Sequence, residues 1–342
     1  MFEQIDLFLN NLSTSFWGAL LIFAVGLVLL IKGGDWFVDA ATGIAKRFRV
    51  PEIIIGATVV SIGTTLPEVM VSTTAALNNN GAIAYGNAIG SIICNTSLIA
   101  ALTIAIRPAP VNRKAIVMPV IFFFLSAAVY MLCAYAFGYF YSWMGLIMLG
   151  IFAVYMILTV RQGFKNPDSV EHEEDSEAPQ GSLLKDIVVL VVSAALIAFG
   201  ADFLEMSSVS LATMAGIPTS VIGVTVVALC TSLPELVTAI TALAKGHGAL
   251  SLGNIIGANI FNLVLVSGVA VTLSPFAVPE SSLIFGQNAS LVMEIPLMVA
   301  VMAIMTLPAL LKKKLYRAQG FALLAIYAIF VTVQVLIALH VI

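Results

Sequence analysis

The chain has 342 residues, of which 61% are hydrophobic and only 10% charged, and its mean hydropathy is +1.08. Soluble domains carry roughly 25% charged residues, so this composition excludes an ordinary soluble protein and predicts a polytopic membrane protein. The formal net charge of −3 identifies no partner. We expect the lipid bilayer as the environment and no nucleic-acid partner, and no obligatory protein partner can be read from the sequence.

Ten apolar runs are each long enough to cross a bilayer as a helix, which takes roughly 20 residues. Strand-like alternation of apolar and polar residues is absent, so an all-α bundle is favoured over a β-barrel. The predicted spans are 15–34, 53–77, 83–106, 114–137, 139–161, 183–208, 219–244, 249–273, 289–311 and 315–340.

The positions of the basic residues predict the orientation of these spans. Cytoplasmic loops are enriched in Lys and Arg, and this bias sets the topology of membrane proteins. If the N-terminus lies outside, all fifteen basic residues fall on one side of the membrane. We therefore expect a multi-pass protein of the cell (inner) membrane with both termini outside.

The segment Gly56–Leu98 is repeated as Gly223–Leu265, with identical residues at 19 of 43 positions. The same offset pairs Asp35 with Asp202, so each repeat contains five spans. Because five is odd, the second repeat enters the membrane from the opposite side. The sequence thus predicts two inverted five-helix repeats, 1–165 and 183–342, joined by an acidic cytoplasmic linker at 166–182. Inverted repeats are typical of secondary transporters, whose sites lie near the midplane.

The centre of each repeat combines a proline with a carboxylate. The first copy reads Thr64-Thr65-Leu66-Pro67-Glu68, and the second reads Thr231-Ser232-Leu233-Pro234-Glu235. Because the residue before a proline disfavours helical geometry, helices 2 and 7 are expected to be broken here. Glu68 lies about 15 residues into its span, or roughly 22 Å at 1.5 Å per residue. An ionisable group at that depth costs roughly 2.5–3.5 kcal/mol and indicates function, whereas a simple capping role leaves the depth unexplained.

Further polar side chains extend this pattern. In span two, Ser61, Thr64, Thr65 and Glu68 share one helix face, and in span three Asn87, Ser91 and Asn95 are spaced by four residues. The second repeat offers Thr231, Ser232, Glu235, Asn254 and Asn262, whereas Ala228 and Ala258 replace the serines. Such an all-oxygen site suits a hard cation, and its irregular geometry suits calcium better than magnesium. The three histidines lie away from site depth, which disfavours a transition metal.

The duplicated Thr-Ser/Thr-Leu-Pro-Glu and Gly-Asn-x-Ile-Gly-x-x-Ile-x-Asn motifs look like the alpha repeats of the calcium/cation antiporter superfamily. Among its members the chain most resembles prokaryotic sodium/calcium exchangers. The resemblance implies a secondary active antiporter that exchanges calcium for sodium by alternating access at a single midplane site, with no enzymatic activity and no cofactor beyond the transported ions. The side-chain ligands that it implies are Thr64, Thr65, Glu68, Ser91, Asn95, Thr231, Ser232, Glu235 and Asn262, with backbone carbonyls from Ser61 and Ala228.

The chain departs from many of these exchangers at two positions, Asn262 and Ala258, where they have Asp and Ser. One acidic group and one hydroxyl are therefore missing from the second half of the site, and this bears on sodium coupling. A calcium/proton antiporter, or an antiporter of another cation, remains an alternative, as does a passive cation channel. An intramembrane hydrolase using paired carboxylates is disfavoured, because no His-Glu-x-x-His motif occurs and cleavage needs no inverted duplication.

Overall fold

The computed structural model describes residues 11–108, 111–165, 182–216, 228–280, 283–284, 286–339 and 341. In this part of the chain nine helices are long and apolar enough to cross a membrane, and a shorter apolar helix occupies span seven. The helices are α1 Phe16–Phe48, α2 Glu52–Leu77, α3 Gly81–Ile106, α4 Arg113–Phe137, α5 Ser142–Lys165, α6 Leu183–Met214, α7 Leu233–Ala244, α8 Gly248–Leu273, α9 Ser290–Lys312 and α10 Arg317–Ala338. The prediction of an all-α, multi-span membrane protein is confirmed.

The first helix of each repeat is longer than expected. α1 and α6 contain 33 and 32 residues and pack against each other over much of their length. Glycines allow this approach. A Cβ atom at Gly26 would lie 2.9 Å from the carbonyl oxygen of Gly200, and a Cβ atom at Gly200 would lie 2.9 Å from the carbonyl oxygen of Gly26. At about 1.5 Å per residue, helices of this length exceed the roughly 30 Å hydrocarbon core of a bilayer.

The interruptions of the two motif helices differ in form. In span seven, Ser232 has φ −93° and ψ 7° and separates the helical residues Ala228–Thr231 from α7. In span two, Pro67 lies inside a continuous helix, and the irregular part is a π-helical segment, Gly56–Val60, upstream of the motif. An internal proline removes one backbone donor, which transmembrane helices tolerate because neighbouring groups satisfy the freed carbonyl. The first part of predicted span seven, 219–227, lies outside the described residues.

Two further π-helical segments lie at matching positions of the repeats. Asn95–Ala100 interrupts α3 and Asn262–Val266 interrupts α8, at the offset of 167 residues seen in the sequence. Each segment begins at an asparagine that the sequence predicts to be an ion ligand. π-bulges inside α-helices occur frequently at functional sites, because they change the direction in which side chains point.

Small residues bring the first half of α2 against α8, so that one repeat directly contacts the other. A Cβ atom at Gly253 would lie 2.1 Å from the carbonyl oxygen of Ile53, and one at Gly257 would lie 2.3 Å from Ser61 Oγ. Likewise, a Cβ atom at Gly56 would lie 2.3 Å from the carbonyl oxygen of Leu250. This is the small-xxx-small packing that lets membrane helices approach closely.

At the other end of the bundle, a short antiparallel pair of strands joins the two repeats. β1, Tyr139–Phe140, lies between α4 and α5 and pairs with β2, Phe276–Ala277, which follows α8. A second pair, β3 Leu283–Ile284 and β4 Gln287–Asn288, precedes α9. Both ends of the repeat interface are therefore fixed by backbone contacts.

The glycine contact between α2 and α8 should be intolerant of a single methyl group. We expect Gly253→Ala to lower the free energy of unfolding by about 1–3 kcal/mol, because the added carbon meets a backbone oxygen that has no room to move. Thermal unfolding of the purified protein in detergent measures this change. Gly150→Ala is the matched control, since a Cβ atom there meets nothing within 4 Å. Equal unfolding midpoints for the two variants would contradict the proposed packing.

Candidate functional site: a pair of buried carboxylates

Glu68 and Glu235 come together in the interior of the bundle. They lie on α2 and α7, one from each repeat, and neither side chain is exposed at all. Their carboxylates are close enough to interact with each other, and the hydroxyls of Thr64 and Thr65 lie near that of Glu235. None of the four carboxylate oxygens accepts a hydrogen bond of good geometry. The ion pairs found in the described part of the chain involve Arg47, Lys245 and His247, so no protein cation compensates these two charges there.

Burying two adjacent carboxylates without a positive charge is expensive. The effective penalty for taking one ion out of water is on the order of several kcal/mol, and the mutual repulsion of two adds to it. The pair is stable when cations or protons neutralise it. No cation of the described part of the chain supplies this positive charge, which makes the pair a candidate site for cations from outside the protein.

Other predicted ligands surround this pair with unused polar atoms. Among the described residues, fifteen buried side-chain nitrogen and oxygen atoms have no hydrogen-bond partner, and nine of them belong to six of the predicted site residues. These six residues are Thr65, Glu68, Asn95, Ser232, Glu235 and Asn262. Buried polar groups ordinarily have partners, so this concentration of unpaired oxygens indicates a ligand site.

The amide of Asn262 is oriented so that its oxygen is free. Its Nδ2 atom donates to the carbonyl oxygen of Ala258 at 3.0 Å, while Oδ1 is fully buried and accepts no hydrogen bond. An amide held in this way presents a neutral oxygen ligand. Asn95, at the matching position of the first repeat, is also fully buried, and neither of its amide atoms is bonded.

Two predicted site hydroxyls are instead bonded to α8. Ser61 Oγ donates to the carbonyl oxygens of Gly56 at 2.8 Å and Asn254 at 2.9 Å. Thr64 Oγ1 lies 3.3 Å from Asn254 Oδ1 and is also near the carboxylate of Glu235. These hydroxyls hold α2 against α8. Thr64 was expected to bind an ion through this hydroxyl, whereas Ser61 was expected to contribute only its backbone carbonyl.

The structure assigns roles to Asn254 and Thr238 that sequence reasoning missed. Asn254 Nδ2 donates to Thr238 Oγ1 at 3.1 Å, and Thr238 Oγ1 in turn donates to the carbonyl oxygens of Pro234 at 2.8 Å and Glu235 at 3.1 Å. The helix that carries Glu235 is thereby fixed to α8. The repeated Gly-Asn pair of the motif was the available signal for Asn254, whereas Thr238 has no polar counterpart in the first repeat.

The matching asparagine of the first repeat fixes the other glutamate. Asn87 Nδ2 donates to Ser72 Oγ at 2.8 Å and to the carbonyl oxygen of Glu68 at 3.3 Å. In each repeat, an asparagine of the following helix therefore fixes the backbone of the helix that carries the glutamate. Asn87 bonds the carbonyl oxygen of Glu68 directly, and Asn254 reaches that of Glu235 through the hydroxyl of Thr238.

The remaining predicted residues lie beside this arrangement. Ser91 is buried on α3, and the turn Ala228–Thr231 packs against the part of α3 that carries it. The position of Ala228 is described but its side chain is not. The thiol of Cys94, next to Asn95, lies near the hydroxyl of Ser232, so the start of α7 lies beside α3.

Comparisons with known proteins agree with this description of a multi-span membrane protein. The family described as "Sodium/calcium exchanger protein" matches residues 18–161 and 185–336, which together span most of the chain. The chain belongs to this family.

Two relatives and one solved structure illustrate the similarity. The sodium/calcium exchanger MaX1 of Methanosarcina acetivorans is 33% identical over 353 residues, covering 92% of this chain and 97% of that protein. The inner membrane protein YrbG of Escherichia coli is 36% identical over 265 residues, covering 75% and 80%. The structure of the sodium-calcium exchanger NCX_Mj, soaked with sodium and strontium ions, superposes with a TM-score of 0.77 at 30% identity and covers 93% of this chain and 99% of that one.

Proposed function

We propose that this protein is a secondary active antiporter that exchanges calcium for sodium at one site between Glu68 and Glu235. The observation that carries the proposal is the pair of fully buried, unpartnered carboxylates, one from each repeat. Membership of the sodium/calcium exchanger family supports it. We further propose the inner membrane as its location, with both termini outside and with 1–165, 166–182 and 183–342 as first repeat, linker and second repeat.

The charge of the site explains how one ion can displace another. Two ionised glutamates carry two negative charges, which one calcium ion or two sodium ions neutralise. The free oxygens of Thr65, Asn95, Ser232 and Asn262 add neutral ligands, and calcium accepts six to eight oxygens at irregular geometry. Because the site is costly to leave uncompensated, the reorientation of the two repeats is expected only when ions occupy it. Calcium moving one way then requires sodium moving the other way.

Removal of either carboxylate should abolish exchange. We expect Glu68→Gln and Glu235→Gln to weaken calcium binding by about two orders of magnitude, roughly 3 kcal/mol, because glutamine keeps the size but not the charge. Sodium-driven calcium uptake into proteoliposomes and equilibrium calcium binding measure the effect. Glu280→Gln, at an exposed carboxylate, is the control. Near-normal uptake by both interior variants would refute the proposed site.

The same vesicles distinguish sodium coupling from its alternatives. A sodium gradient at fixed pH should drive calcium uptake in the unmodified protein, and a pH gradient without sodium should not. Uptake driven by the pH gradient alone would instead identify a calcium/proton antiporter, in which protons neutralise the two glutamates. Calcium flux that needs neither counter-ion would identify a channel.

Asn262 should make exchange less dependent on pH than an acidic residue would. In Asn262→Asp, the introduced carboxyl group can donate to the carbonyl oxygen of Ala258 only while it is protonated. Once this group is ionised, the carbonyl oxygen and the two glutamates repel it. We therefore expect exchange by this variant to fall as the pH rises, relative to the unmodified protein. The pH profile of calcium uptake between mildly acidic and alkaline pH is the measurement. Identical profiles would contradict this orientation of the Asn262 amide.

A further inference from the structure

The basic residues at one end of the bundle fall into two groups with different surroundings. Next to α1 and α6 two of them are paired with carboxylates: Lys245 Nζ lies 2.6 Å from Asp35 Oδ1 and 2.7 Å from Asp39 Oδ1, and Arg47 Nη2 lies 3.1 Å from Asp186 Oδ2. These pairs place three carboxylates among the basic residues on this side of the end.

The other side carries seven exposed basic residues. They lie where α3 and α9 end and where α4 and α10 begin. We call this side the basic surface, and its members are Arg107, Arg113, Lys114, Lys312, Lys313, Lys314 and Arg317. No ion pair found among the described residues includes any of them.

Backbone contacts hold the two loops of the basic surface together. Val111 N donates to the carbonyl oxygen of Lys313 at 2.9 Å, and Arg317 Nη2 donates to the carbonyl oxygen of Ile106 at 3.2 Å. Segments about 200 residues apart in the sequence thus form one surface with seven positive charges. Because arginine has five N–H donors, the bond to Ile106 leaves most of this guanidinium available.

The basic surface lies at the level where apolar helix gives way to polar loop. Leu311 is 77% exposed immediately before the three lysines, and the ring of Tyr316 lies 5.8 Å from the ammonium groups of both Lys312 and Lys314. Tyrosine is enriched at membrane–water interfaces, and lysines beside it extend toward the headgroups. The neighbouring leucine is therefore directed at acyl chains and the cations at the headgroup layer.

We infer that the basic surface binds the phosphate-bearing headgroups of anionic phospholipids. Clusters of four to eight Lys and Arg residues next to a transmembrane helix attract anionic lipids, and phosphate oxygens suit the paired donors of arginine. A headgroup held between the two loops would join the end of α3 to the start of α10. α3 is also the helix that carries Asn95. Such a lipid would stabilise the half of the bundle that does not contain the long pair α1 and α6.

Thermal unfolding of the purified, delipidated protein tests this inference. We expect added phosphatidylglycerol to raise the unfolding midpoint by a few degrees and phosphatidylcholine not to do so, with the effect weakening at high salt. The triple variant Lys312→Gln, Lys313→Gln, Lys314→Gln should lose at least half of this rise. Native mass spectrometry of the same samples should show correspondingly less bound phosphatidylglycerol.

A second triple variant is the matched control. Lys46→Gln, Arg49→Gln, Lys185→Gln changes the net charge equally on the other side of the same end, and it too includes a helix-terminal residue with positive φ, Arg49 at 53° against Lys313 at 55°. It should respond to phosphatidylglycerol like the unmodified protein. An equal loss in both variants would show a non-specific charge effect and would overturn the inference.

Two further arms identify other occupants of the surface. An equal shift with inorganic phosphate would show that free anions, not lipids, are bound.

The acidic linker is the other candidate occupant, because it carries six carboxylates. If phosphatidylglycerol had an effect only after these were changed to amides, the linker would cover the surface and the lipid inference would be wrong. The changes needed are Asp168→Asn, Glu171→Gln, Glu173→Gln, Glu174→Gln, Asp175→Asn and Glu177→Gln.

Discussion

The contact between two buried carboxylates, Glu68 and Glu235, is the constraint on which the rest of the structure depends. Neither group is exposed, neither has a hydrogen-bond partner, and the described part of the chain places no cation beside them. A pair of this kind is strongly unfavourable unless positive charge is supplied from outside. The same property that makes the pair costly makes it the proposed cation site.

Several features of the fold hold this pair in place. Glycines at positions 56, 253 and 257 let α2 and α8 approach closely, and Ser61 and Thr64 bond α2 to Asn254 across that contact. Asn87 and Asn254 fix the helices of the two glutamates in equivalent ways. π-helical segments begin at Asn95 and Asn262, whose free amide oxygens complete the proposed ligand set. In the proposed site the packing of the helices thus fixes the neutral ligands, and the carboxylates supply the charge.

Much of this arrangement could be predicted from the sequence. Ten long apolar runs and an ungapped internal repeat indicate the fold directly, and a glutamate next to a proline at mid-span indicates the site. The length of α1 could not be predicted, because Asp35 and Asp39 look like loop residues until Lys245, about 200 residues away, is seen to pair with them. The π-helical segments leave no trace in composition, since they change only the register of backbone hydrogen bonds. The bond between Asn254 and Thr238 likewise depends on how α7 and α8 pack. The repeat boundaries and the coupling ion remain predictions.

The position of a bound divalent ion tests the central claim most directly. We expect anomalous difference density from crystals soaked in strontium to show a peak next to carboxylate oxygens of both Glu68 and Glu235. The distance from the peak to these oxygens should be that of calcium, about 2.3–2.6 Å, or slightly longer. This peak should disappear when the sodium concentration of the soak is raised. A peak that touches neither glutamate, or one that sodium does not displace, would contradict the account.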